Sequence, residues 1–423
     1  MPVRRFDAAS WLDSPWSRRR LDLARFAGER AAVVDICARV AAEGDAALRE
    51  FGLKFDGWAP GAAESFEVPR RELAAAAQRL PGPDRMALDF AAERIRDFHA
   101  SQVAATDGGR PGMKLLTRPV RRAGLYAPGG RAAYPSTVLM TAIPARVAGV
   151  KEVVLATPPA ADGTVATPIL AAAHIAGVDV VYRIGGAQAV AALAYGTASI
   201  PRVDVVAGPG NIYVTLAKRE VFGSVGVDGI AGPTEVMVVA DGNARPDFVA
   251  ADLAAQLEHD PLAWGVLVTD SPALADRVVE ELESLVQGLE RSQIILAANC
   301  CVVVADDMVQ AMQLANDFAP EHLLIVADDA ARLASAVENA GAVFVGPFAT
   351  VPLGDYTAGP NHTLPTSGAA RFASPLGVHT FMKRTSVLSL NRGDLEMLRD
   401  PTVRLAAMEG LGGHAHAVEV RLE

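Results

Sequence analysis

The chain has 423 residues, 51% of them hydrophobic and 21% charged, so it can bury large cores and is too long for one ordinary domain. A formal net charge of -10, with no Lys/Arg block beyond "SRRR" at 17–20, argues against a nucleic-acid partner and makes that run a solvated surface. Cys37, Cys300 and Cys301 form neither a CxxC nor an even framework, which fits buried thiols in a reducing compartment.

The N-terminal "MPVRRFDAASWLDSPWSRRR" lacks the apolar stretch of a signal peptide. No later segment reads as a membrane span, so the expectation is a cytoplasmic protein with no membrane partner. Long helical stretches follow, "RAAVVDICARVAAEGDAALREFGLKFD" and "RRELAAAAQRLPGPDRMALDFAAERIRDFHASQ". From about residue 122, short β-branched runs ("GLYAP", "KEVVLATP", "DVVYRIGG", "VDVVAGPG", "TEVMVVAD") alternate with Ala/Leu-rich ones, with glycines at the junctions. This is the βαβ pattern of an open parallel sheet. A helix is expected over "RPDFVAADLAAQLEH", with proline near its start and Asp260-Pro261 to end it. The alternation then restarts through "GVLVTD", "CVVVAD", "EHLLIVAD" and "AVFVG", which predicts a second α/β domain. Beyond Pro375 the sequence reads as short strands, a helix and a terminal strand "HAVEVRLE", too small to hold a core alone.

Ligands of open α/β sheets bind at the carboxyl ends of the strands. That rule collects Tyr126, Gly129 and Gly130 from "GLYAPGG", Gly185, Gly186 and Gln188 from "RIGGAQA", and Gly208, Gly210 and Asn211 from "VAGPGN". Each loop alone is ordinary turn chemistry; three in one domain predict a ligand-facing edge. Asp252, Gln256 and His259 fall at i, i+4 and i+7, on one face of the expected helix. Asp355 and His362 lie in the Gly/Pro-rich "GDYTAGPNHTLPT", and His414 in "EGLGGHAHAV". Histidines, an aspartate and a glutamine from distant segments are the donors from which a divalent-metal site is assembled. Glu321-His322, after a helix and at a strand entry, offers two groups for acid/base work.

The stretches "GLYAPGGRAAYPSTVLMTAIPARVAGV", "GPGNIYVTLAKREVFG", "AGPTE", "AQLEHDP", "APEHL", "GDYTAGPNHTLPT" and "EGLGGHAHAV" resemble histidinol dehydrogenases, in family order over roughly residues 21–423. The resemblance implies a zinc-dependent, NAD-linked oxidation of L-histidinol to L-histidine through histidinaldehyde. It implies Gln256, His259, Asp355 and His414 as zinc ligands, with Asp252 behind them, and Glu321 and His322 as the acid/base pair. The substrate would meet Thr234, His362 and Glu409 as well as His322 and the metal ligands, and the nucleotide would meet Tyr126, Gln188 and Asn211. The implied fold is α/β, with two Rossmann-like open parallel-sheet domains, a helical N-terminal part and a small C-terminal tail swapped in a homodimer. Its expected divisions are an N-terminal extension (1–20), a metal-carrying domain (21–122 plus 234–375), a nucleotide-contacting domain (123–233) and a tail reaching the partner subunit (376–423).

Thr234 replaces a serine common in the family and keeps the hydroxyl. Val351 stands four residues before Asp355, where many relatives carry an acid, so a related zinc/NAD dehydrogenase of another small polyol is the alternative activity. A non-catalytic two-domain binding protein would share the fold, but it has no need of an acid/base pair beside a metal set.

Overall fold

The computed structural model describes residues 3–17, 23–61, 64–103, 108–110, 112–129 and 133–423. Gly130 and most of the "SRRR" run lie outside them. In chain order the strands are β1 (Arg4–Asp7), β2 (Gly108–Arg110), β3 (Met113–Pro119), β4 (Arg122–Tyr126), β5 (Glu152–Thr157), β6 (Val180–Arg183), β7 (Val205–Ala207), β8 (Gly226–Val227), β9 (Glu235–Ala240), β10 (Trp264–Thr269), β11 (Asn299–Val304), β12 (His322–Val326), β13 (Ala342–Val345) and β14 (Met382–Leu388). The chain divides into two compact units, Met1–Gln102 with Val120–Phe381, and Val103–Pro119 with Met382–Glu423. No helix among the described residues is long and apolar enough to cross a membrane.

The first unit holds two parallel sheets, in the orders β6-β5-β4-β7-β8 and β1-β11-β10-β9-β12-β13. Leaving β1 aside, the two share one pattern. The first strand of each (β4, β9) lies inside, the next two step outward on one side, and the last two on the other. This repeats the alternation in the sequence and carries the Rossmann-type reversal at its middle. In β9 the pleat divides the side chains by parity. Val236, Val238 and Ala240 join one apolar cluster with Leu253, Leu257 and Leu282, whereas Met237 and Val239 join another with Leu314 and Phe318. A strand buried on both faces reads as one continuous apolar run, and "EVMVVA" does so.

Residues 21–122 were expected with the 234–375 sheet; helix Gly82–Ala100 touches Ala358 and Asn361 of that stretch, whereas the first helices pack on the other sheet. Val33, Ile36, Val40 and Phe51 form one core with Val154, Tyr182, Val190 and Leu193 of the β4–β8 layer. Helix Gly186–Tyr195, "GAQAVAALAY", is rich in alanine, and small side chains let helix Ala27–Glu43 approach it closely. Cys37, Cys300 and Cys301 are all buried, and burial pushes the Cys37 and Cys301 thiols up to about 12.

The N-terminal extension is part of the second sheet. β1 pairs in parallel with β11, and Trp11, 1% exposed, packs on Phe6 and Phe318. Phe318 ends the helix Met308–Phe318, three residues before Glu321. Trp11→Ala is therefore expected to cost about 3–5 kcal/mol of stability, read as a lowered melting temperature against wild type.

The second unit pairs β14 with β3 and β3 with β2, all antiparallel, and adds two helices, Arg392–Met408 and Gly412–Glu419. In place of the terminal strand expected from "HAVEVRLE", His416–Glu419 end a helix and Val420–Leu422 form a turn. The segment's alternation comes from Val418, Val420 and Leu422, while Ala415 and Ala417 just before are strong helix formers. No strand takes it up; it pairs with the preceding helix.

Candidate functional site

Helix Pro246–Leu257 starts at a proline and buries Val249, Leu253 and Leu257. On the same helix Asp252 and Gln256 are buried polar groups, at 8% and 1% exposed, and a buried polar group needs a partner. Thr350 Oγ1 donates to Asp252 Oδ1. Gln256 Nε2 donates to Thr234 Oγ1, and that hydroxyl passes its single hydrogen to Glu321 Oε2 at 2.6 Å. Gln256 Oε1 is left buried with no hydrogen-bond partner. His259 lies beyond the helix rather than on it, because the chain turns at the C-cap Glu258; it is exposed, with its N–H donating to Gln256 O at 3.3 Å.

Thr234 and Glu235 sit at the amino end of β9, and Glu321 and His322 at the amino end of the neighbouring β12. In this sheet the candidate residues lie at the amino ends of the strands, opposite to the expected edge. Glu321 Oε2 also accepts from Glu235 N at 2.8 Å. His322 Nδ1 lies 2.9 Å from Glu235 O, and a carbonyl can only accept, so Nδ1 carries a proton and the basic lone pair of the neutral ring is on Nε2. That Nε2 is buried without a hydrogen-bond partner, 3.7 Å from Asp355 Oδ1. Burial works against a charged His322, but the Glu321 and Asp355 carboxylates outweigh it and raise its pKa to about 10. Asp355 is likewise penalised by burial, yet His322 beside it holds its carboxyl below the usual range.

Asp355, expected in a loop, is on a short helix, Val351–Tyr356. Its backbone carbonyl accepts from His362 Nδ1 at 2.9 Å, and Thr137 Oγ1, from the helix after β4, is 3.4 Å from His362 Nε2. Burial lowers the pKa of His362. His322, Asp355 and His362 line one side of a cavity of about 540 Å³, with Phe98, Leu376 and His379 on its walls. Val351 does not line it; its side chain is 2% exposed in the core of the sheet.

In the β4–β8 sheet the collected residues do lie at the carboxyl ends of the strands. Tyr126 ends β4, and its hydroxyl accepts from Gly186 N at 3.1 Å, while burial pushes its pKa up to about 12. Gln188 is buried on the next helix, its Nε2 reaching toward Asp56 Oδ2 at 3.5 Å. Asn211 caps helix Ile212–Val221, its side chain accepting from Tyr213 N and Val214 N. Gly129, Gly185, Gly208 and Gly210 all have backbone or side-chain atoms within 3 Å of where a Cβ would sit, so each marks a close approach. Glu409 and His414 belong to the second unit, on helix ends that are solvent-exposed.

Among the described residues, no three His, Cys, Asp or Glu side chains of the single chain are placed to hold a metal. Glu235 was missed in the sequence. It is 1% exposed, and its carboxylate accepts from Ser367 N at 2.9 Å and Glu321 N at 3.3 Å. The available signal was a carboxylate opening an otherwise apolar strand.

The histidinol dehydrogenase family model matches residues 21–422. Histidinol dehydrogenase of Moorella thermoacetica is 50% identical, over 96% of this chain and 97% of its own. That of Parasynechococcus marenigrum is 49% identical, over 92% and 90%. The crystal structure of histidinol dehydrogenase from Elizabethkingia anophelis superposes with a TM-score of 0.89 at 32% identity, covering 99% of this chain and 98% of that one. With sequence and fold alike matched almost end to end, the chain belongs to the histidinol dehydrogenase family, oxidoreductases of histidine biosynthesis.

Proposed function

We propose that the protein oxidises L-histidinol to L-histidine through histidinaldehyde, a four-electron oxidation that uses zinc and NAD. The observation that carries this reading is the relay from Gln256 through Thr234 to Glu321. It places a buried, unpartnered amide oxygen at one end and the acid/base pair at the other. Gln256 Oε1 and Asp355, with His259 close enough to act on the Asp355 charge, are an oxygen/nitrogen donor set suited to zinc. His414 of a second subunit is the proposed fourth ligand. When bound, zinc orients the substrate and NAD takes up the hydrides. His322 Nε2 accepts the hydroxyl proton, Glu321 activates the water that adds to the aldehyde, and His322 accepts the proton of the resulting hydrate. This base role requires the Glu321 and Asp355 charges beside His322 to be offset, and a cation held by Asp355 would oppose both. His362, Thr234 and Glu409 contact the substrate, and Tyr126, Gln188 and Asn211 contact the nucleotide.

Val351 was the one hint of another polyol substrate, and its burial away from the cavity removes that hint. The shared site is supported by the second unit taken by itself. Its two helices bury only Ala406 and leave Met397, Leu405 and Met408 more than half exposed, an apolar face that a homodimer would cover.

The test is the yield of NADH per histidinol consumed, expected to be two, with activity lost on exhaustive chelation and restored by zinc. His259→Ala is expected to bind zinc more weakly without unfolding. Full activity of that variant after chelation is incompatible with the proposed ligand set.

A further inference from the structure

Of the described ion pairs, Lys218 with Asp228 is the most deeply buried, with side chains 4% and 3% exposed, and the proposed chemistry uses neither. Lys218 lies on the helix that Asn211 caps, and Asp228 follows β8. Both converge on a single residue. Lys218 Nζ donates to Gly208 O at 3.0 Å, and Gly208 N donates to Asp228 Oδ2 at 2.8 Å. Gly208 has φ +124°, and a Cβ there would lie 2.1 Å from Tyr126 O, so its backbone rests on the end of β4. The glycine is thus held on one side by Tyr126 and on the other by the two opposite charges.

We infer that Lys218 and Asp228 are positioning residues for the nucleotide: they clamp the Gly208–Asn211 loop against Tyr126 and so set the affinity for NAD. The inference rests on the reading that Tyr126, Gln188 and Asn211 face the nucleotide. Stability alone does not call for charges here, because well-packed apolar side chains commonly replace a buried ion pair without loss. What apolar side chains do not supply is the two directed hydrogen bonds to Gly208.

Lys218→Met alone strands a buried carboxylate and is expected to melt earlier than wild type. The double variant Lys218→Met/Asp228→Leu removes both charges together and is expected to melt above Lys218→Met but below wild type, because Gly208 N and O lose their partners. Its NAD dissociation constant, measured directly, should rise about tenfold, while the KM for histidinol stays within about twofold. Asp228→Asn keeps an acceptor for Gly208 N and should bind NAD more tightly than Asp228→Ala. A stable double variant that binds NAD like wild type overturns the clamp, as does one weakened equally toward both substrates. Should the double variant not fold, equal NAD affinity in Asp228→Asn and Asp228→Ala overturns it. Asn211→Ala and Tyr126→Ala separate the two readings. If they too leave NAD binding unchanged, the nucleotide edge is misplaced; if they weaken it while the clamp variants do not, only the clamp is wrong.

Discussion

His322→Ala is expected to slow the oxidation of histidinol and of supplied histidinaldehyde alike, by about 10²- to 10⁴-fold, whereas Glu321→Gln should slow the aldehyde step far more than the alcohol step. The asymmetry follows from which atoms are already engaged. His322 Nδ1–H is committed to Glu235 O, so Nε2 is the ring's basic atom in the neutral form, buried and without a hydrogen-bond partner. In the proposed mechanism the proton released in either oxidation goes there. Glu321 uses Oε2 to accept from Thr234 and from Glu235 N, and Oε1 has no protein partner among the described residues, so Oε1 is the oxygen left to take a proton from water. A glutamine can keep its carbonyl on Thr234 and Glu235 N and place its amide nitrogen where Oε1 stood. The network then survives and the base does not. Steady-state rates with each substrate in turn, at saturating zinc and NAD, decide the matter. Equal losses in both half-reactions for Glu321→Gln count against separate roles.

Glu235 is the residue on which this arrangement turns, and it shows where reading the sequence stops. "TEVMVVAD" announces a buried strand, and the strand formed as β9. Period and composition say that Glu235 opens the strand; they do not say that the amino end of β12, more than eighty residues later, lies beside it. Pairings of that range are set by strand order, and order was legible only as a class of fold. The same limit explains the N-terminal helices. The apolar face of Ala27–Glu43 can be read from its sequence, but not which sheet it covers, and the alanine-rich helix that receives it decides that. Gln256 was legible as a polar residue on an apolar helix, but not its bond to Thr234, which β9 brings to it. At the C-terminus, "HAVEVRLE" satisfied a strand period as readily as a helical one, and its first four residues complete a helix although β14 offers an edge in the same unit.

Glu409 and His414 lie on a small unit of their own, and the proposed site needs both. In the proposed homodimer each tail crosses to its partner, so His322 of one chain works with His414 of the other. Exchange of a terminal element is a low-cost route to a symmetric dimer, and it would cover the exposed Met397, Leu405 and Met408. A His414→Ala chain and a His322→Ala chain should each be nearly inactive as homodimers, since every site then carries one defect. Refolded together, half of the randomly formed dimers are hybrids. In each hybrid one site carries both defects and the other carries neither. Activity should therefore recover to about a quarter of wild type if the sites act independently. Differently tagged chains allow the hybrid to be isolated, and its activity should be about half that of wild type. A purified hybrid with no more activity than the two parents means that His414 serves its own chain or no site at all, and the crossed tail is then wrong.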